Sequence, residues 1–212
     1  MNNLIRFLKD VKYDMAVPPL GLNYYEMTPE QARENFFWFM SKIPERMDYL
    51  RNRCATDMKI SVDAIDYSPQ SLIIVWKWFL KTARMEKTPK EELDIMKEQA
   101  KIFGESFISW YDFTVSTKFI IRDIGMYLGE SWIRKYPQLY WYYFVKPKNE
   151  INAKQPIVKG FYLKTELGEG DMVLNPLQLA DAAATNIFDK TQKETDLYDM
   201  YMHGVGMVPE PH

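Results

Sequence analysis

The sequence predicts an α+β protein that is mainly helical and carries a small antiparallel sheet packed on its helices. Three observations support this class. Four prolines directly follow a Ser, Thr or Asn, an arrangement that begins many helices. Apolar residues then recur at helical spacing after these starts. Residues 139–145 are aromatic and uncharged, and residues 157–163 are mostly apolar, so the two runs predict a hairpin.

Three of the helix starts lie in the N-terminal half. Thr28-Pro29-Glu30-Gln31 has the spacing of a capping box, and its helix is expected to break at Pro44 and resume to about Arg53. Ser68-Pro69 begins the cleanest amphipathic pattern of the chain, and Thr88-Pro89-Lys90-Glu91 again has capping-box spacing. This half is therefore expected to be helical, with a weaker strand at residues 59–65.

The C-terminal half combines helices with the hairpin. Helical spacing over residues 112–135 ends before Pro137, and Asn175-Pro176 begins an Ala-rich helix. The continuous apolar character of residues 139–145 favours a strand buried on both faces. Residues 168–171 are expected to form a flexible loop because they contain two glycines between acidic residues.

The two ends of the chain carry little pattern. Residues 1–27 are poorly patterned, and the tail over about 190–212 is polar and is expected to fray. Arg6 and Lys9 interrupt the apolar positions at the start, so no signal-peptide core is expected there. Because no linker separates the apolar stripes, we expect one domain over residues 1–212.

Composition restricts the compartment and the kind of partner. The net charge is −2 and Lys and Arg are scattered, so the basic field typical of nucleic-acid binders is lacking. Cys54 is the only cysteine, which rules out an intramolecular disulfide and fits a reducing compartment. No uncharged apolar run approaches the length of a membrane span. These features predict a cytoplasmic protein that binds neither nucleic acid nor membrane.

Familiar catalytic and metal-binding patterns are absent from the sequence. The only histidines, His203 and His212, lie in the tail, so neither a histidine-based triad nor a zinc site is expected. We predict no metal and no cofactor. The remaining candidates for acid–base catalysis are the carboxylates of Asp66, Asp123 and Glu130, although an acid at Asp66 is also explained by the helix start that follows it.

Two glycines inside a helical pattern form the most unusual local feature. Gly125 and Gly129 each cost about 1 kcal/mol relative to Ala in a helix, so a compensating contact is expected. Their shared face would admit the aromatic strand. Glu130 stands four residues before Arg134, a spacing that favours an ion pair. Alternatively, Glu130 presents its carboxylate in a pocket beside Tyr127 and Trp132.

The segment around these glycines resembles a family of uncharacterised bacterial proteins. The resemblance is carried by Gly-Met-Tyr-Leu-Gly-Glu at residues 125–130, by Trp141, and by Pro-Ile-Val-Lys-Gly-Phe at residues 156–161. Asp-Tyr-Ser-Pro-Gln-Ser-Leu at residues 66–72 is similar to the helix start of that family. Relatives of this general type include immunity proteins of bacterial toxin systems. The resemblance spans about residues 63–161 and implies a bacterial cytosolic α+β protein without an established activity.

Two functions remain open on the sequence alone. The first is a non-catalytic, immunity-like protein that binds another protein through Tyr127, Glu130, Trp132 and Trp141, since aromatic residues are enriched at interfaces. The second is a small enzyme that uses carboxylate and tyrosine acid–base chemistry around Glu130. A deep pocket at Glu130 would favour the enzyme, and an exposed aromatic surface would favour the binding protein. The partner and the oligomeric state do not follow from the sequence.

Overall fold

The computed structural model describes residues 10–21, 23–105, 108–147, 150–165 and 168–210. Residues 1–9 and 22 of the poorly patterned segment, and residues 211–212 of the tail, lie outside the described residues. The described chain contains six α-helices and two small antiparallel sheets, which confirms the predicted α+β class.

The helices and strands follow one another in a mainly helical order. The helices are α1 (Pro29–Met58), α2 (Pro69–Thr82), α3 (Lys90–Phe103), α4 (Val115–Lys135), α5 (Pro176–Thr185) and α6 (Asp196–Val205). The strands are β1 (Met85–Lys87), β2 (Tyr111–Phe113), β3 (Tyr140–Tyr142), β4 (Ile157–Thr165) and β5 (Gly168–Leu174).

Capping residues fix three of the four predicted helix starts. The side chains of Thr28, Ser68 and Asn175 each accept a hydrogen bond from a backbone N–H in the first turn of α1, α2 and α5. The capping box predicted at Thr88 does not form. The Thr88 hydroxyl instead donates to the carbonyl of Ser109 at 2.7 Å, and Pro89 precedes α3 without a side-chain cap.

The structure also contradicts three predictions of local secondary structure. α1 continues through Pro44, which lies exposed, because the apolar stripe runs on into the core with Met47 and Leu50. The strand expected over residues 59–65 is replaced by a 3₁₀ turn at Val62–Ala64. Residues 168–171 are not a loop, since they form the start of β5 and pair with β4.

The larger sheet has the order β3-β4-β5, with both neighbouring pairs antiparallel. Trp141 pairs with Val158, and Tyr140 pairs with Lys159. A bulge follows Lys159, where Gly160 has φ of 110° and lies close to the carbonyl of Gln138. The second sheet, in which β1 pairs with β2, was not expected from the sequence.

Helix α4 lies at the centre of the core and contacts α1, α2, α5 and α6. The segment after Lys190, which we expected to fray, contains α6. Leu197 and Tyr201 of α6 are buried in the same hydrophobic cluster as α4. The helix packs there because Gly204 allows it to approach Trp132 of α4. Within the described ranges, no helix is both long enough and apolar enough to cross a membrane.

Candidate functional site

The two glycines of α4 allow close contacts with two different elements. A Cβ at Gly129 would lie within 2.5 Å of the Trp141 indole in β3, which confirms the predicted approach of the aromatic strand. A Cβ at Gly125 would lie 2.7 Å from the Cα of Leu177. The glycine face of α4 is therefore filled by β3 and by the start of α5.

Glu130 is held by two partners beside this contact. Its Oε1 accepts a hydrogen bond from Trp141 Nε1 at 2.9 Å. Its Oε2 lies 3.3 Å from Arg134 Nε, so the predicted ion pair is confirmed. Only 13% of the Glu130 side chain is exposed. Both carboxylate oxygens therefore serve to fix β3 and the end of α4.

Arg134 also packs against Tyr67, a residue with a strained backbone conformation. Its guanidinium carbon lies 3.9 Å from the ring centroid of Tyr67, and the Tyr67 ring stacks on Tyr127 at 4.7 Å. Tyr67 has φ of 66°, an unfavourable conformation for a residue with a side chain. The Tyr127 hydroxyl accepts the Tyr67 N–H at 2.8 Å and lies 2.7 Å from the Ser71 hydroxyl. Burial raises the pKa of Tyr127, so its phenol stays neutral.

Asp123 lies in a separate buried ion pair two turns earlier on α4. Arg46 of α1 is fully buried, and its Nη2 lies 2.7 Å from Asp123 Oδ2. The Tyr13 hydroxyl donates to the same oxygen at 2.7 Å. Burial raises the pKa of Asp123, and the Arg46 guanidinium acts in the opposite direction. Arg46 also donates to the carbonyl of Asp14 at 2.7 Å, so this network ties the N-terminal segment to α1 and α4.

Asp66 is exposed in the turn before α2. Its Oδ1 accepts the N–H of Ser68 at 3.0 Å, and hydrogen bonds from Ser68 hold the pKa of Asp66 below its ordinary value. The three candidate carboxylates thus have separate partners. Four cavities of about 300 to 650 Å³ lie on the described surface, and none of the four is lined by Asp66, Asp123 or Glu130. None of these four cavities therefore brings two of the candidate carboxylates together.

Three of the residues proposed as binding anchors lie in the core. Tyr127 and Trp132 have no exposed surface, and Trp141 is 8% exposed. Trp132 Nε1 donates to the carbonyl of Tyr201 at 3.1 Å, which uses its polar group inside the protein. In this conformation these side chains support the surface rather than form it.

The outward face of the larger sheet carries exposed tyrosines instead. Because side chains alternate along a strand, burying Trp141 turns Tyr140 and Tyr142 to the opposite side. They are 47% and 41% exposed, and Tyr162 of β4 is 38% exposed. Our expectation that residues 139–145 are buried on both faces was therefore wrong. We call the outward residues Tyr140, Tyr142, Lys159, Tyr162 and Asp171 the tyrosine face.

The sequence did not reveal this surface. Residues 140–144 are all aromatic and uncharged, so composition alone does not show which side of the strand is buried. Among the described side chains, no group of three His, Cys, Asp or Glu residues is arranged to hold a metal ion. Comparisons with family models, curated proteins and solved structures gave no match to this chain.

Proposed function

We propose that this chain is a non-catalytic protein-binding protein that contacts its partner through the tyrosine face. The observation that carries the proposal is the display of three partly exposed tyrosines on one side of an antiparallel sheet. Tyrosine combines a large apolar ring with a hydroxyl group and loses little conformational entropy on binding, so it is favoured at protein interfaces.

The layer beneath the tyrosine face is closely packed. Trp141 lies between Tyr140 and Tyr142, and its indole is fixed by Gly129 and by the hydrogen bond to Glu130. A surface that is ordered before binding loses less entropy on association. The Gly-Met-Tyr-Leu-Gly-Glu motif at residues 125–130 therefore supports the proposed binding surface without forming part of it.

The more specific form of this proposal is an immunity-like role, in which the chain binds and masks a toxin domain in a bacterial cytoplasm. The resemblance of residues 63–161 to proteins of that general type supports it. The separate partners of the three candidate carboxylates favour binding over the alternative of an enzyme. A gene for a toxin domain directly upstream would strengthen this form of the proposal.

The test is a comparison of exposed aromatic residues at two places. The purified chain is immobilised and used to capture proteins from an extract of the organism that carries the gene. Tyr142→Ala should release a captured partner, because interface aromatics are frequent hot spots. Trp110→Ala is the matched control, since Trp110 is 57% exposed but lies beside β2 in the other sheet.

The captured partner is then purified and its dissociation constant measured with each variant. We expect Tyr142→Ala to weaken binding by about tenfold or more and Trp110→Ala to leave it unchanged. Equal losses in the two variants would contradict the proposed surface. A wild-type chain that retains no protein beyond the level of an unrelated control would contradict the proposed function.

A further inference from the structure

We infer that the tyrosine face also binds a second copy of this chain, through a symmetric two-fold interface. The inference rests on the proposed function in one respect: both assume that the tyrosine face is a contact surface. The charges on that face favour a second copy of the chain as its occupant.

The tyrosine face carries one cation and one anion without an internal ion pair. Lys159 on β4 and Asp171 on β5 both point outward, and neither forms an ion pair within the described part of the chain. The Lys159 ammonium lies over the Tyr142 ring at 5.4 Å, and Asp171 lies opposite Tyr162. The neighbouring Lys164, by contrast, is paired with Glu169 at 3.8 Å.

Register places these two charges next to each other on the sheet. Lys159 pairs with Val173, and Asp171 lies two residues before Val173 on β5. Strand rise and strand spacing put the two Cα atoms about 8 Å apart. The face therefore has a positive and a negative position a short distance apart, with tyrosines on either side.

A two-fold axis between Lys159 and Asp171 satisfies both charges with one partner. In a two-fold interface, residue i contacts residue j of the partner and j contacts i. The axis therefore sets each lysine against the aspartate of the second copy. Sheets that pack face to face lie about 10 Å apart, which leaves room for tyrosine side chains from both copies. A partner surface of a single charge sign would match only one of the two positions.

The test measures the oligomeric state of the full chain by sedimentation velocity between about 1 μM and 1 mM. The wild-type chain should shift from monomer to dimer as its concentration rises. Lys159→Asp should abolish the dimer, because each of the two contacts across the axis would then bring two aspartates together. Asp171→Lys should abolish it in the same way with two lysines.

Two rescue experiments distinguish this interface from a general effect of charge. The double variant Lys159→Asp/Asp171→Lys restores opposite charges within one chain and should dimerise again. An equimolar mixture of the two single variants should form a heterodimer, because every contact across the axis is then between opposite charges. Lys90→Asp in α3 changes the net charge by the same amount as Lys159→Asp, and it should dimerise like the wild type.

Each result decides for or against the homodimer. A wild-type chain that stays monomeric at every concentration would overturn it, and so would a dimer that neither charge reversal affects. The failure of both rescues after loss of the dimer would also overturn it, because the charges would then not face each other. If the homodimer fails while Tyr142→Ala still releases a foreign partner, the proposed function stands and only the second copy is excluded.

Discussion

The indole of Trp141 lies directly on the backbone of Gly129, so that no Cβ fits between them. The next residue of the helix, Glu130, accepts the indole N–H at 2.9 Å. One contact thus fixes how closely β3 approaches α4, and the other fixes how far the indole turns. Together they determine that Tyr140 and Tyr142 point outward, which links the helix motif to the proposed binding surface.

Gly125→Ala should destabilise the protein. The new Cβ would lie 2.7 Å from Leu177 Cα and 2.9 Å from the Pro176 carbonyl oxygen, and these backbone atoms move only if α5 moves. Overpacking costs about 1–3 kcal/mol, whereas helix propensity returns about 1 kcal/mol. We expect a net loss of about 1–2 kcal/mol in urea unfolding. Gly170→Ala is the control, because nothing lies within 4 Å of its added Cβ. An unchanged urea midpoint for Gly125→Ala would show that α5 moves to make room for the added Cβ.

Glu130→Gln and Glu130→Ala should differ in stability. The glutamine can still accept the hydrogen bond of Trp141 and loses only the charge of the pair with Arg134, so we expect a cost of about 1 kcal/mol or less. The alanine leaves the part-buried indole N–H without its partner, which costs about 1–3 kcal/mol. Chemical denaturation of the two variants measures the difference. Equal losses would mean that the hydrogen bond to Trp141 contributes nothing beyond the charge.

Replacing both partners of the buried ion pair should cost less than removing either one. Arg46→Leu leaves Asp123 as a buried carboxylate without its cation, and Asp123→Leu leaves the buried Arg46 with only its contacts to Asp14. Each single change should cost about 3–5 kcal/mol. The double change removes both charges and should cost clearly less than the sum. A double-mutant cycle by urea unfolding measures the coupling. Additive losses would show that the two side chains act independently.

Stability should fall steeply in alkaline solution. Burial raises the pKa of Tyr13, Tyr127 and Cys54, the last to about 12. A raised pKa keeps the group protonated in the folded chain after it ionises in the unfolded chain, so its contribution is full below the unfolded pKa. For tyrosine the loss begins at about pH 10 and continues as the pH rises toward the folded value.

The variant Tyr127→Phe tests this dependence. It is less stable at neutral pH, because the Tyr67 N–H loses its acceptor, but it should lose less stability between about pH 9 and 11 than the wild type. Tyr25→Phe serves as the control, since Tyr25 is 64% exposed. The free energy of unfolding is measured across the pH range. Parallel curves for Tyr127→Phe and the wild type would show that Tyr127 does not contribute to alkaline unfolding.

Much of the helical architecture could be predicted because its signals are local. Thr28, Ser68 and Asn175 cap helices through their own side chains, and these contacts involve residues only a few positions away. The contact between Gly129 and Trp141 was also predictable, since a helical glycine needs compensation and an aromatic strand follows.

The missed features depend on contacts between distant parts of the chain. Tyr13 forms a hydrogen bond with Asp123, which lies 110 positions away, and no pattern near Tyr13 in the sequence indicates that contact. The polar residues 191–195 before α6 and the glycine and prolines after it concealed a helix whose buried face rests on Gly204 and Trp132. The outward side of β3 escaped prediction because its three residues are all aromatic, and only the position of α4 decides which of them is buried.

Helix α3 stands apart from the other helices, since none of its described side chains is fully buried. The segment that contains α3 begins after Thr88 and ends before Ser109 and Trp110. Two hydrogen bonds join its two ends, one from the Thr88 hydroxyl to the Ser109 carbonyl and one from the Thr88 N–H to the Trp110 carbonyl. A fluorescent label or a short affinity tag placed on the exposed side of α3, at Ile95 for example, should therefore leave the folded core intact. A label at this position would allow binding at the tyrosine face to be measured without altering that face.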